Sequence, residues 1–395
     1  MSESISLYVH IPFCKQKCKY CDFLSGASTA ETRSSYVDAL VKEIKEKAAL
    51  YGHPSVKTVF FGGGTPTALH VSQLERICQV IREEFSLLPE AEWSMECNPG
   101  LVDTEGFRRF LDAGINRLSI GLQSTDDGEL ATLGRIHDYE TFLTCYEDAR
   151  KAGFQNINVD LMMAIPGQHL KSFQESLRKV ILLCPEHISV YSLMIEEGTP
   201  FYALYEEDVR KREKTGEASG QLCSEDEERQ MYHVAEAMLQ EAGYQRYEIS
   251  NYAKPGRECK HNMVYWKRGY YLGVGLGAAS MMWPAKEEDR QDWKEVRFHR
   301  TLDLKEYLEG DYTARELEYL LEEERMAEFA FLGLRCKEGI SPKTFELCFQ
   351  KEIHQVYGRQ ITKLMEEDLL EESEGRIKLT EKGTDLANIV FAEFL

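Results

Sequence analysis

Residues 8–23 read Tyr8-Val-His-Ile-Pro-Phe-Cys-Lys-Gln-Lys-Cys-Lys-Tyr-Cys-Asp-Phe23, YVHIPFCKQKCKYCDF. An apolar run leads into Cys14, Cys18 and Cys21 at C-x3-C-x2-C spacing, and phenylalanine stands at the next alternate position, Phe23. Structural zinc takes four ligands in a closed tetrahedron, often as paired C-x2-C units, and no second pair stands nearby. Nothing marks His10 as a fourth ligand. Three thiolates without a fourth suit a [4Fe–4S] cluster with one iron left open to a small molecule. Zinc and clustered structural thiols remain the alternatives on spacing alone.

The composition narrows the function classes. The chain has 395 residues, 43% of them hydrophobic, enough for one large domain and a smaller one. No apolar run reaches the ~18–20 residues of a membrane span, so an integral membrane protein is not expected. The N-terminal stretch shows no secretory signal, and cytoplasmic residence is the expectation. Eleven cysteines without a regular framework point to metal, redox or buried thiols in a reducing compartment. A net charge of −20 argues against nucleic acid as a partner, because that association relies on Lys and Arg neutralising phosphates.

Around the cysteine loop, short β-type runs alternate with amphipathic helical stretches. Strands are expected over Ser6–Ile11, Val56–Phe61, Glu92–Cys97, Arg117–Gly121, Asn156–Leu161 and His187–Leu193. Helices are expected over Ser34–Leu50, Val71–Phe85, Asp103–Ala113, Tyr139–Ala152 and Lys171–Leu183. Six βα units imply an α/β fold, a partial, TIM-like (β/α)6 barrel. Ligands in such folds sit beyond the carboxyl ends of the strands, where glycine-rich and polar punctuation gathers here. The expected organisation is a barrel over 1–240, an aromatic and glycine-rich connecting segment over 241–300, and a mostly helical C-terminal domain over 301–395. Its helices followed by the short strand Arg376–Leu379 read as winged-helix-like, and its acidic stretches make DNA an unsuitable partner.

The cysteine loop after the first strand resembles the signature of the radical S-adenosylmethionine (SAM) superfamily. That resemblance implies a six-unit partial barrel, in agreement with the strand count. It also implies that the open iron takes the amino and carboxylate groups of SAM, and that electron transfer cleaves a C–S bond to release a 5′-deoxyadenosyl radical. Gly62-Gly63-Gly64-Thr65-Pro66 resembles the family's methionine-binding glycine motif. Glu96, Gln123, Arg135 and Asp160 would pass singly for surface residues. By resemblance to the subgroup containing oxygen-independent coproporphyrinogen III oxidase they become SAM contacts. Tyr8, Tyr20 and the Met194 backbone are expected neighbours of cluster or ligand. No catalytic residue is assigned, and SAM cleavage is left open beside a binding role.

Cys259-Lys-His-Asn-Met-Val-Tyr-Trp266 is the second informative stretch. The bland reading is a strand or turn whose Tyr265 and Trp266 pack in the core. Imidazole or thiolate can also ligate iron, and aromatic faces can cover a macrocycle. His261-Asn-Met-Val-Tyr-Trp266, HNxxYW, resembles the hallmark of the HemW family of heme chaperones. That implies heme as a ligand, held by His261 first and Cys259 second, with Tyr265 and Trp266 alongside. It also implies apo-hemoprotein acceptors, those of the respiratory chain among them, and a homodimer as a candidate assembly. The competing function is the oxidase, which decarboxylates two propionates of coproporphyrinogen III. Its cysteine pattern carries a further cysteine where this chain has Phe23, and it has an N-terminal extension. Radical opening or methylation of heme is a third reading.

Overall fold

The computed structural model describes residues 4–217, 220–286, 288–291 and 293–395. From the N-terminus, β1 (Ile5–Ile11), α1 (Ala30–Leu50), β2 (Ser55–Gly63), α2 (Val71–Glu84), β3 (Ser86–Cys97), α3 (Thr104–Asp112) and β4 (Arg117–Gln123) alternate. The pattern continues through α4 (Asp127–Leu133), α5 (Tyr139–Ala152), β5 (Ile157–Met163), α6 (Leu170–Leu182) and β6 (His187–Ser192). Helix starts follow their caps: the side chains of Thr29, Asp103, Asp126 and Asp138 accept from the first-turn amides of α1, α3, α4 and α5. Gly134 and Gly153 end α4 and α5 in the left-handed conformation.

Strands β1 to β6 are parallel and neighbours in chain order. This is the six-unit open barrel that the alternation implies. Beyond β6 the chain is more elaborate than the sequence pattern suggests. Two helices, α7 (Pro200–Thr215) and α8 (Glu225–Glu241), precede short strands β7 (Gln245–Arg246) and β8 (Asn251–Ala253), a helix α9 (Lys260–Trp266), and strands β9 (Tyr271–Val274) and β10 (Ala279–Met282). Then come β11 (Val296–His299), α10 (Leu304–Leu308) and β12 (Arg315–Tyr319). β8 runs antiparallel on β6, and β9 runs parallel on β1, so both flanks are extended into a twelve-stranded open sheet. The highly charged run Glu206–Glu228 falls largely on α7 and α8. Its residues 218 and 219 lie outside the described residues, as do residues 1–3 of the stretch read for a secretory signal.

The main sheet runs to Tyr319, and a second hydrophobic core begins at Met326. It is built from α11 (Glu322–Gly333), α12 (Pro342–Phe349), α13 (Ile353–Glu366), the hairpin β13 (Leu370–Ser373) and β14 (Arg376–Leu379), α14 (Glu381–Asp385) and α15 (Ala387–Ala392). The strand expected at Arg376–Leu379 is therefore half of a hairpin. Among the described residues no helix is long and apolar enough to cross a membrane.

Candidate functional site

Alternate residues of a strand face opposite sides, so one series along β1–β6 points into the curve of the sheet. In most barrels that series is apolar and packed. Here it is polar: Tyr8, Glu96, Arg117, Ser119, Gln123, Asn158, Asp160, Ser189 and Tyr191 line one cavity of about 460 Å³. Loops after β1 to β4 supply its mouth. Toward the N-terminal halves of β1–β3 it is lined by His261, Asn262 and Tyr265 of α9.

Backbone bonds hold the cysteine loop. Cys14 N donates to Gly26 O (2.9 Å), Gly26 N to Pro12 O (3.0 Å), and Cys21 N to Cys18 O (3.3 Å). His10 pins the far side: its Nε2 must donate to Leu24 O (3.0 Å), leaving Nδ1 to accept from Tyr8 OH (3.0 Å). Cys14, Cys18 and Cys21 are free thiols, all partly exposed and all lining the cavity. Thr65 Oγ1 reaches Cys14 Sγ at 3.5 Å, and Arg135 Nη1 reaches Cys18 Sγ at 3.6 Å. Burial pushes the Cys21 thiol up, against the Phe23 amide and Lys17. Phe23 projects at the mouth, 63% exposed.

The glycines of the β2 turn leave room that a side chain would fill. A Cβ on Gly64 would lie 2.8 Å from Phe13 O and 3.0 Å from Cys14 Sγ. Gly63 has φ +113°, and its N–H donates to Glu96 Oε2 at 3.2 Å. Glu96 has its carboxyl lifted to about 8, first by burial and then by the negative charge of Asp160, against that one amide. Burial likewise raises Asp160, opposed by donors from Asn158 and Ser119 and by the charge of Arg117. Two carboxyls are thus held above their ordinary range at one cavity wall.

At the rim, Arg135 Nη2 donates to Asn98 Oδ1 (2.8 Å) and Gly121 O (2.7 Å). Asn98 Nδ2 donates on to Thr65 Oγ1 (2.7 Å), so a single chain of bonds links arginine to the cysteine loop. Gln123 sits at a register shift between β4 and β5 with φ +76°. Such strained backbone aims a side chain and is characteristic of ligand sites.

At α9 the structure departs from the strand or turn expected for this stretch. Glu92, on β3, accepts from the amides of Lys260 (3.1 Å) and His261 (3.2 Å), so a carboxylate from the sheet starts the helix. His261 is buried and stacks on Phe60, centroids 5.0 Å apart. Thr58 Oγ1 donates to Ser6 Oγ (2.7 Å), so in its 2.7 Å bond with His261 Nδ1 it must accept. Nδ1 therefore carries the proton, and the Nε2 lone pair faces Tyr265 OH at 3.0 Å. Burial and the charges of Arg117 and Lys57 push this imidazole down to about 3, keeping it neutral at any working pH.

The cavity thus gathers Cys14, Cys18, Cys21, Tyr8, Tyr20, Gly63, Gly64, Thr65, Glu96, Gln123, Arg135, Asp160, His261 and Tyr265. Three other expected site residues lie elsewhere. Met194, expected to contribute its backbone, is 69% exposed and outside the cavity lining. Cys259 is buried with its thiol, pushed up to about 12 by burial, turned to Glu92 Oε1 (3.6 Å). Trp266 faces a second cavity next to the C-terminal core, with Arg335 over its ring at 4.6 Å. Sequence reasoning passed over Asn98, Arg117, Ser119 and Asn158. The signal for the β4 residues was the alternation Arg117, Ser119, Gly121 along the strand expected over Arg117–Gly121.

A radical SAM superfamily model matches residues 8–180, and a HemN C-terminal domain model matches residues 320–386. Over 391 residues the chain is 34% identical to the heme chaperone HemW of Bacillus subtilis (strain 168), covering 99% of each. Over 364 residues it is 34% identical to the heme chaperone HemW of Escherichia coli (strain K12), covering 88% of this chain and 90% of that one. The chain belongs to the HemW family of radical SAM proteins. Coproporphyrinogen III oxidase (HemN) from E. coli, described as a radical SAM enzyme, superposes with a TM-score of 0.82 at 23% identity. The match covers 100% of this chain and 90% of that one, and shows that the HemW-family chain shares its fold.

Radical SAM membership implies a [4Fe–4S] cluster and SAM. The residues present fit both. Three free thiols surround the mouth, yet among the described residues no three metal-binding side chains converge as a single-ion site would require. A cubane takes its thiolates on separate irons, and three free thiols lining one mouth supply that donor set. The Gly64 cradle and the raised Glu96–Asp160 pair fit a ligand that brings both bulk and positive charge.

Proposed function

We propose that this protein is a heme chaperone: it binds heme in the barrel cavity and passes it to acceptor hemoproteins. Cys14, Cys18 and Cys21 hold the [4Fe–4S] cluster, and SAM lies across the mouth. When bound, the cluster supplies the one-electron reduction of the sulfonium. Gly63, Gly64 and Thr65 leave space for the methionyl part, and the Glu96 and Asp160 carboxylates receive the ammonium and ribose hydroxyls. Arg135 pairs with the ligand carboxylate, Gln123 is aimed from the bulge, and Tyr8 and Tyr20 flank the site. Met194 and Cys259, neither of which lines the cavity, fall outside this binding set. Trp266 acts by anchoring α9.

The observation that carries the heme reading is His261. Its neutral imidazole has Nδ1–H fixed by Thr58 and the Nε2 lone pair directed to Tyr265 at the cavity wall. That is the state an imidazole needs to bind iron, with the opposite nitrogen oriented by a hydrogen bond. Tyr265 yields its bond when iron takes the lone pair. Exchange takes place in the cytoplasm, with apo-hemoproteins, those of the respiratory chain among them, as acceptors and a homodimer as the handover form. The oxidase reading has the shared fold in its favour, and the exposed Phe23 stands where the oxidase pattern has a cysteine.

Anaerobically reconstituted protein, titrated with heme and assayed in parallel with coproporphyrinogen III, tests this. Stable heme uptake without conversion is expected, and His261→Ala should weaken it at least about tenfold. Unchanged heme spectra and affinity in His261→Ala would remove the ligand assignment. Efficient formation of protoporphyrinogen IX would replace the chaperone with the oxidase.

A further inference from the structure

Arg117 lines the barrel cavity but is only 2% exposed. Its Nε is buried without a hydrogen-bond partner, and Nη1 reaches only Ser94 Oγ at 3.5 Å. A buried guanidinium left this way is costly unless a charge meets it. Its acidic neighbours Glu92 and Asp160 act on it through their charge, while their oxygens accept from other donors. Glu92 accepts from the amides of Lys260 and His261, the Cys259 thiol and Ser94 Oγ. Asp160 accepts from Asn158 and Ser119. Neither carboxylate forms an ion pair with Arg117. Arg135 differs in being anchored: its Nη2 donates to Asn98 Oδ1 and Gly121 O and its Nη1 reaches Cys18 Sγ, which leaves donors over for a ligand at the mouth.

We propose that Arg117 binds a ligand carboxylate deep in the barrel, and that this carboxylate is a propionate of the bound porphyrin. The inference rests on the heme reading of the cavity and adds a second anchor to it. A guanidinium fork matches a carboxylate bidentately and keeps its charge at every working pH. Arg117 is also close enough to His261 for its charge to act on the imidazole. A flat ligand can therefore present its metal to His261 and an acidic arm to Arg117 at once. SAM brings a carboxylate too, but its expected partner, Arg135, stands at the mouth beside the cysteine loop.

The test compares hemin with hemin dimethyl ester, whose propionates carry no charge, on the full-length reconstituted protein, with labelled SAM binding followed in parallel. The wild type should bind hemin about tenfold to a hundredfold more tightly than the diester. Arg117→Met should bind both alike at the diester's level, and Arg117→Lys should recover part of the preference. Equal affinity of the wild type for the two porphyrins overturns the proposal while leaving heme binding intact. A preference retained in Arg117→Met overturns it as well, and so does a loss of SAM affinity in that variant with the porphyrin preference unchanged. Failure of the wild type to bind either porphyrin would instead remove the heme reading itself. The two-porphyrin comparison on wild type decides the matter even if the variants fold poorly.

Discussion

Glu96 offers the sharpest quantitative test of the SAM site. Without ligand its carboxyl is lifted to about 8 by burial and by Asp160, so at pH 7 about nine-tenths of the molecules hold the proton. A cationic ligand needs the carboxylate, and binding must expel that proton. Wild-type protein should therefore release about 0.9 proton more than Glu96→Gln on binding SAM at pH 7. The ligand's own amine titrates identically against both proteins and cancels in the difference. The affinity advantage of wild type over Glu96→Gln should grow by up to about tenfold per pH unit below 8 and level off above it. Calorimetry in two buffers of different ionisation enthalpy measures the proton count directly. Equal proton release by the two proteins would refute the reasoning, because the raised carboxyl would then have no part in binding.

The same shift has the opposite consequence for the empty protein. An acid whose folded pKa is raised contributes stability that is complete below its unfolded value and is lost as pH rises through about 8. Glu96→Gln should therefore be more stable than wild type in urea, by an amount that grows from pH 5 to pH 8.5. Water reaching a cavity wall screens the effect, leaving a gain on the order of 1–2 kcal/mol.

Two further perturbations probe the frame. Gly64→Ala puts a methyl group within 3.0 Å of Cys14 Sγ. It should cost about 1–3 kcal/mol by overpacking and lower the iron and sulfide content after reconstitution, both readable by unfolding and metal analysis. Arg300 Nε pairs with Glu43 Oε1 at 2.7 Å in full burial, where Glu43 Oε2 also accepts from Gly275 N and Tyr307 OH. Arg300→Met leaves that carboxylate buried without its counter-charge, and urea unfolding should show a loss of about 3–5 kcal/mol.

What could be read from the sequence obeys a physical dividing line. Six strands and their helices were visible because period and caps are local, and the rim residues were visible because punctuation collects at strand ends. The flanking strands were not. Tyr271–Val274 is four residues long and becomes a strand by pairing with β1 from the other end of the chain. The stretch around His261 carries Val, Tyr and Trp, residues with a taste for strands. It is nevertheless a helix, because Glu92 from a distant strand satisfies its first amides. Cys259 and Trp266 adjoin functional residues in sequence, yet their side chains turn elsewhere. Arg117 was passed over for the converse reason: an arginine opening a strand looks like surface until the barrel encloses it.

The position of β1 sets a timetable for biosynthesis. It is made well before β9, its second neighbour, and it carries the cysteine loop at its end. Chains are synthesised from the N-terminus, and early segments wait for late partners. Until residue 274 has emerged, the edge of β1 that β9 will cover stays unpaired beside the cysteine loop, and β1 reaches its full pairing only late in synthesis.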